Sequence, residues 1–203
     1  MPVPEWQEDW SRRGVGFGDP PRIDAAFSSR ISFVNSHIDR FPFLDLAEIP
    51  ESLSASFEFA FCSEVLEHVL PPFQNSVGGL FELLQGGGFA VITVPIDDGI
   101  ELVEEYYPGL VGYEFTDDGE LIWTDGEGLV RVDPSPEIHG GQGRILALRR
   151  FGRQGLRKSL VSEGFTQVVS PLANPALGFG ERAVRAVFVA RKEHLLSTSQ
   201  EIG

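Results

Sequence analysis

The chain has 203 residues, 42% hydrophobic and 23% charged, enough for one sizeable core and, at this length, one domain. Its 30 acidic and 16 basic residues leave a net charge of −14, which argues against a broad phosphate-binding surface and so against nucleic acid as a partner. Cys62 is the only cysteine, which excludes an intrachain disulfide, and no stretch has the apolar length of a membrane span or the look of a signal peptide, so a cytoplasmic protein is expected.

Residues 1–30 carry Pro2, Pro4, Pro20 and Pro21 and no strand-like run, and are expected to be irregular. Ile31 to Ile38 and Phe41 to Leu46 read as short strands, and the apolar run Phe57 to Cys62 as a buried central one. Phe73, Val77, Leu80, Phe81 and Leu84 recur at helical spacing, and Gly86-Gly87-Gly88 is expected to stop that helix before a second central strand, Phe89 to Val94. Residues 96–138 read as an insertion in which TDDGE and TDGEG give Asp-Gly turn signals beside ELIWT and GLVRV, predicting a β-hairpin or meander. The basic run from Arg144 to Arg157 reads as a solvated strand end and helix face. Gln154 to Glu163 reads as a helix closed by Gly164, Thr166 to Ser170 and Ala183 to Ala190 as a closing strand pair, and 193–203 as a frayed tail on a domain spanning 31–192.

The chemistry gathers where the first central strand ends. After Cys62 the apolar run gives way to Ser63, Glu64, Glu67 and His68, and ligands of open α/β sheets collect at the carboxyl ends of parallel strands. The i, i+3, i+4 spacing of Glu64, Glu67 and His68 puts all three on one face of a first helical turn, with room for a polar acceptor or a divalent ion. His139, among Gly140, Gly141 and Gly143, reads either as a general base or as a turn histidine bonded to a carbonyl. Cys62, among apolar neighbours, reads as a core or pocket-wall residue and not as a nucleophile.

SEVLEHV (residues 63–69) followed by LLQGGGFAVITVP (residues 83–95) resembles the second half of class I S-adenosylmethionine-dependent methyltransferases, with Gln85-Gly86-Gly87 where Lys-Pro-Gly is usual. GVGFGD (residues 14–19), FVNSHIDRFPFLDL (residues 33–46), EYYPGL (residues 105–110), EIHGGQGRILALRRF (residues 137–151) and LVSEGF (residues 160–165) extend the likeness to a bacterial methyltransferase-like subgroup. The resemblance implies a Rossmann-like α/β sheet, mostly parallel, with a C-terminal antiparallel strand. It also implies S-adenosylmethionine as cofactor and a small-molecule or saccharide-like acceptor, methylated on oxygen. Asp45, twelve residues before Phe57, with Leu46 beside it, becomes the adenine-side candidate, its other reading being a turn cap. Cys62, Ser63 and Glu64 fall near the donor, and Glu67, His68 and His139 toward the acceptor. Metal-assisted O-methyltransferases carry a similar ExxEH string, so Glu64, Glu67, His68 and His139 form a second-ranked set for a divalent metal, behind a structural or substrate-orienting role.

At ordinary family spacing a glycine turn falls near residue 5, where the chain reads VPEWQEDW, so the fold is expected to be shortened at its N-terminus. Gly14, Gly16 and Gly18 offer a substitute with no apolar strand before them. In such a fold the insertion covers the substrate, and Tyr106, Tyr107, Tyr113, Phe115 and Trp123 weigh toward a lid over surface decoration. The alternative to an enzyme is a degenerate methyltransferase-like binding or scaffold module.

Overall fold

Strand β1 (Arg13–Phe17) leads through Gly18, left-handed at φ 69°, into helix α1 (Pro21–Ser28) and back into β2 (Ser32–Ser36), which runs parallel to β1. This strand–helix–strand unit stands where irregular chain is expected from the sequence. The prolines assist it, because Pro20 caps the helix and Pro21 opens it, where no amide donor is required. The computed structural model describes residues 8–139, 145–170 and 185–193.

Strand β3 (Phe57–Ser63), helix α2 (Gln74–Leu83) and strand β4 (Leu84–Pro95) form a second crossover, with β3 parallel to both β1 and β4. The helix ends at Leu83, ahead of the glycine triad, and Gly86–Gly88 lie inside β4 with Gly87 at φ 84°. Phe41–Leu46 forms no strand; Phe43 makes one isolated bridge to His37, and Pro42 lacks the N–H that a ladder needs.

The insertion holds β5 (Val103–Glu105), then an antiparallel meander of β6 (Leu110–Phe115), β7 (Leu121–Asp125) and β8 (Val130–Asp133), as its Asp-Gly signals predict. The two short strands β9 (Ile138–His139) and β10 (Ile145–Leu146) pair antiparallel, and β11 (Arg149–Phe151) returns to pair with β5, anchoring the insertion at its base. Helix α3 (Arg153–Ser162), with Gly164 at φ 107° beyond it, and the antiparallel strands β12 (Gln167–Val169) and β13 (Arg185–Arg191) complete the described chain. The main sheet has the order β12-β13-β4-β3-β1-β2, parallel except at β13 and its neighbours.

Side chains alternate across this sheet. Ala60, Cys62, Ala90, Ile92, Val94, Phe188 and Ala190 are buried in one cluster with Val77, Leu80 and Leu83 of α2 and Leu156 and Leu160 of α3. Each fully buried leucine there is worth about 1.5–3 kcal/mol. Phe59 and Phe61 point to the opposite face, where Phe27 of α1 meets their rings at 5.4 and 5.9 Å. The insertion has its own small core of Tyr107, Leu110, Leu121, Trp123, Leu146 and Leu148. Tyr107 and Trp123 therefore fill the insertion itself, while Tyr113 is exposed. No helix among the described residues is long and apolar enough to cross a membrane.

Helix α2 lies against the turn after Asp45 so closely that a methyl group on Gly79 would stand 1.8 Å from the Leu46 carbonyl oxygen. Alanine improves helix propensity by about 1 kcal/mol, but the backbone clash forces a displacement costing about 1–3 kcal/mol. Gly79→Ala is expected to lower the urea unfolding midpoint. Gly78→Ala, whose methyl meets only the mobile end of Glu163 at 3.3 Å, is expected to leave it level or raise it.

Candidate functional site

The sheet order reverses between β1 and β3: from β1 the chain proceeds outward to β2, and from β3 it proceeds the other way to β4. A crevice for ligands belongs at the carboxyl ends of two such strands, here Phe17 to Asp19 and Cys62 to Glu64. The residues missing from the sequence-based site are on the first of them. Asp19 is 6% exposed and its two carboxylate oxygens meet no donor at hydrogen-bond geometry among the described residues. Burial pushes its pKa up to about 7; the Phe17 backbone N–H is near enough to offset this in part without completing a bond, and the charge of Asp24 adds to the rise. The backbone of Asp19 is fixed by the Asn35 side chain, which accepts from its N–H and donates to its carbonyl, both at 2.9 Å. The GVGFGD string was the signal for this turn, concealed because glycines stand where strand residues are expected.

On β3, Cys62 is fully buried and its thiol pKa is raised, first by burial and then by the charges of Glu67 and Asp19. That fits a wall residue. The Ser63 hydroxyl lies 2.9 Å from the Thr93 hydroxyl, which donates to Glu64 Oε1 at 3.0 Å. Glu64 adopts φ 55°, a left-handed backbone rare for a residue with a side chain, and its N–H donates to the Thr93 carbonyl at 2.9 Å. Asp45 lies in the turn beside α2, where its Oδ1 accepts from the Ala47 N–H at 2.8 Å, and Leu46 is buried in the core. The turn-capping alternative for Asp45 is thus met in the structure. Two clefts of 470 Å³ are bordered by described residues, one along α2 at Asn75 and Glu82 and one at the amino-terminal edge of the sheet at Arg12 and Phe59. Neither is lined by Asp19, Cys62 or Ser63.

Glu64, Glu67 and His68 do not share a helical face. The left-handed Glu64 breaks the chain after β3, Leu66 to His68 form a turn, and α2 begins only at Gln74. Pro71 and Pro72 explain the delay, since a residue preceding proline is driven away from helical backbone. Glu64 therefore stays with Thr93 at the rim, and Glu67 and His68 join His139 instead. Glu67 is fully buried, with Oε1 3.8 Å from His68 Nε2 and 3.9 Å from His139 Nδ1, and the two imidazoles stand edge to face at 5.0 Å. One ligand atom from each of the three lies within 4.8 Å of the others, a donor set that fits a divalent transition ion.

His68 Nδ1 lies 2.8 Å from the Leu146 carbonyl, which only accepts, so Nδ1 carries the proton and the Nε2 lone pair faces the cluster. Burial lowers the His68 pKa, against the Leu146 carbonyl and with His139 assisting, which favours the neutral ring. His139 Nε2 lies 3.4 Å from Glu137 Oε1, and Glu137 Oε2 accepts from the Tyr106 hydroxyl at 2.5 Å. A chain of polar groups thus runs from Glu67 through His139 and Glu137 to Tyr106. The Tyr106 pKa is raised by burial and by Glu137.

Arg149, absent from the sequence-based site, holds this arrangement. Its side chain is fully buried; Nε donates to Glu105 at 2.8 Å, Nη1 donates to the Leu66 carbonyl at 2.6 Å, and the guanidinium lies 5.2 Å from the Phe73 ring centre. It ties the base of the insertion to the turn that carries Glu67.

The sequence matches no family model and no curated protein. Solved structures are similar. A protein of Listeria monocytogenes assigned to the S-adenosylmethionine-dependent methyltransferases is 12% identical with a TM-score of 0.54 over 95% of this chain and 93% of that one. An S-adenosylmethionine-dependent methyltransferase from Clostridium acetobutylicum is 9% identical with a TM-score of 0.53 over 90% and 84%. The CurJ carbon methyltransferase is 17% identical with a TM-score of 0.53, over 94% of this chain but 50% of that structure, so the chain spans half its length.

Removing one partner of a buried ion pair leaves the other uncompensated, at a cost of about 3–5 kcal/mol. Arg149→Ala is expected to destabilise by that order in urea unfolding, and Arg149→Lys to recover little, because an ammonium cannot reproduce the guanidinium fork. A loss below about 1 kcal/mol, the scale of an exposed pair, would show that the clamp is dispensable.

Proposed function

Proceeding from the class I S-adenosylmethionine-dependent methyltransferase fold, which this chain shares, we propose that it transfers a methyl group from S-adenosylmethionine to a hydroxyl of a small-molecule or saccharide-like acceptor. The observation that carries this reading is the convergence of Glu67, His68 and His139 directly beyond the carboxyl end of β3, beside the strand switch where a donor belongs. The rim suits a cationic nucleoside. Gly18 has only His37 Nδ1, at 3.9 Å, near the place of its missing side chain, leaving its backbone open to close approach, and Asp19 and Glu64 make the rim acidic.

When bound, the donor supplies an electrophilic methyl carbon on a positively charged sulfur. The chain's own groups then align the acceptor and manage its proton. His139 would take the proton of the acceptor hydroxyl as its oxygen is methylated. That proton arrives between the carboxylates of Glu67 and Glu137, 3.9 and 3.4 Å from the ring nitrogens. His68 is held by the Leu146 carbonyl on the other side of Glu67, with Nε2 3.8 Å from Oε1. Ser63, Cys62 and Glu64 wall the donor side, and Asp45 and Leu46 shape the turn on the adenine side. The acidic insertion above β11 contributes acceptor choice.

A second reading, a binding module without turnover, draws on the position of the two clefts away from the rim. Titration calorimetry with S-adenosylmethionine and S-adenosylhomocysteine separates the two; heat from both is expected, and none at millimolar ligand favours the module. In a turnover assay with a hydroxylated acceptor, His139→Gln is expected to lower kcat by about 10²–10⁴ while leaving donor affinity unchanged. Turnover is expected to ignore EDTA. A strict requirement for Mg²⁺ or Mn²⁺ would instead make Glu67, His68 and His139 ligands to the ion.

A further inference from the structure

The negative charge of this chain is concentrated in one place. Of its 30 acids and 16 bases, residues 96–138 hold 13 acids and a single base, Arg131, so the insertion carries −12 of the net −14. At its base the acids are answered from β11 and α3: Arg149 pairs with Glu105, Arg150 with Asp97 and Glu104, and Arg153 with Asp98. The outer part is left acidic. Between Leu110 and Ile138 stand eight acids and Arg131, which reaches Asp125 at 3.5 Å, and among the described residues no lysine or arginine from elsewhere in the chain pairs with any of the eight. Crowding of like charge works against the compact state, so nothing within the fold accounts for it.

The same meander turns an apolar face outward. Its register sets Val132 beside Ile122 and Glu114, and Val130 beside Thr124 and Gly112. Leu121 and Trp123 point the other way, into the insertion's own core, which leaves Val130 and Val132 62% and 58% exposed. The face is open above them: a side-chain carbon on Gly112 would meet nothing within 4 Å. Strand β8 pairs only with β7 among the described residues, so its far edge offers unmatched backbone groups. Exposed carboxylates bracket this edge, with Asp117 and Asp118 in the β6–β7 turn at one end and Glu127 in the β7–β8 turn at the other. A second copy of the chain would set two surfaces of this charge against each other, so the occupant has to carry the opposite sign.

We propose that the outer meander is a docking surface for a basic segment of another protein, bound in extended conformation along the open edge of β8. Its apolar side chains lie beside Val130 and Val132, and lysines or arginines at its two ends meet the acidic turns. The main-chain pairing and the valines supply affinity, and the carboxylates supply the choice of partner and the speed of encounter. This goes beyond the transferase reading and does not rest on it, because no residue of the strand switch or of the Glu67, His68 and His139 cluster takes part.

The test measures fluorescence anisotropy of three labelled peptides at about physiological ionic strength: KKVTVTVKK, KKSTSTSKK of the same charge, and EEVTVTVEE of the opposite charge. KKVTVTVKK is expected to bind at least about tenfold more tightly than KKSTSTSKK, the scale of burying one valine, and EEVTVTVEE not to bind. In the double variant Val130→Ser, Val132→Ser the advantage of KKVTVTVKK is expected to disappear, with the near-ultraviolet circular dichroism of the chain and its heat of binding to S-adenosylmethionine unchanged. Asp117→Asn with Asp118→Asn is expected to weaken both basic peptides and to reduce their sensitivity to salt. Equal binding of the two basic peptides overturns the proposal in favour of charge attraction alone, and an undiminished advantage in the serine variant places the contact elsewhere and overturns it too. Binding of none of the peptides, or their displacement by spermine to the same extent from wild type and serine variant, overturns it as well, the latter in favour of a small cation. Failure of S-adenosylmethionine to bind wild type would defeat the transferase reading and leave this proposal standing on the peptide results.

Discussion

A guanidinium removed from water needs partners within the protein, and Arg149 Nε and Nη1 find theirs on two otherwise separate parts of the chain, while Nη2 meets none among the described residues. One is Glu105 on the first strand of the insertion, the other the Leu66 carbonyl in the turn beyond β3, and the Phe73 ring closes the remaining side. Desolvating such an ion is expensive unless these contacts form together. The position of Glu67 follows from them. Its neighbour Leu66 is held by the guanidinium, and its own carbonyl accepts the Leu148 N–H at 2.8 Å. The buried carboxylate can face two histidines from different segments because the turn beneath it is fixed from both ends.

This clamp also explains how an insertion with its own core takes part in a site. Tyr107, Trp123 and their neighbours make the meander a unit in itself, and β5 pairing with β11 plants it beside β4. The strand carrying His139 is supported by Leu146 pairing with Ile138 and by the Ala147 N–H bond to the Glu137 carbonyl at 2.9 Å. In the proposed reading the sheet supplies the donor side through the β1/β3 switch, and the insertion the acceptor side. Cys62 stands between the two, its thiol sensing Glu67 on one hand and Asp19 on the other.

Residues 57–95 were legible because an apolar run, a helical repeat and a second apolar run each declare themselves over a few turns of chain. The meander was legible from its Asp-Gly turns, and the closing strand pair from its length and β-branched content. Strand β1 was not, because Gly14 and Gly16 have no side chains to pattern; the surface that buries them is the Phe59 and Phe33 rings, far along the sequence. Asp19 was hidden with it. The helical placing of Glu64, Glu67 and His68 failed because spacing alone cannot register a left-handed Glu64, although Pro71-Pro72 was a local warning. Arg149 looked like one member of a solvated basic run, and only the tertiary fold reveals that its side chain is fully buried.

In the proposed reading, the carboxyl ends of β1 and β3 form a donor site opposite the Glu67–His68–His139 cluster. A crystal structure of the chain with S-adenosylhomocysteine tests it most directly. The sulfur is predicted above Cys62 and Ser63, with the His139 ring on the side from which an acceptor would approach. A ligand seated instead in the cleft along α2 or at the amino-terminal edge of the sheet would contradict the account.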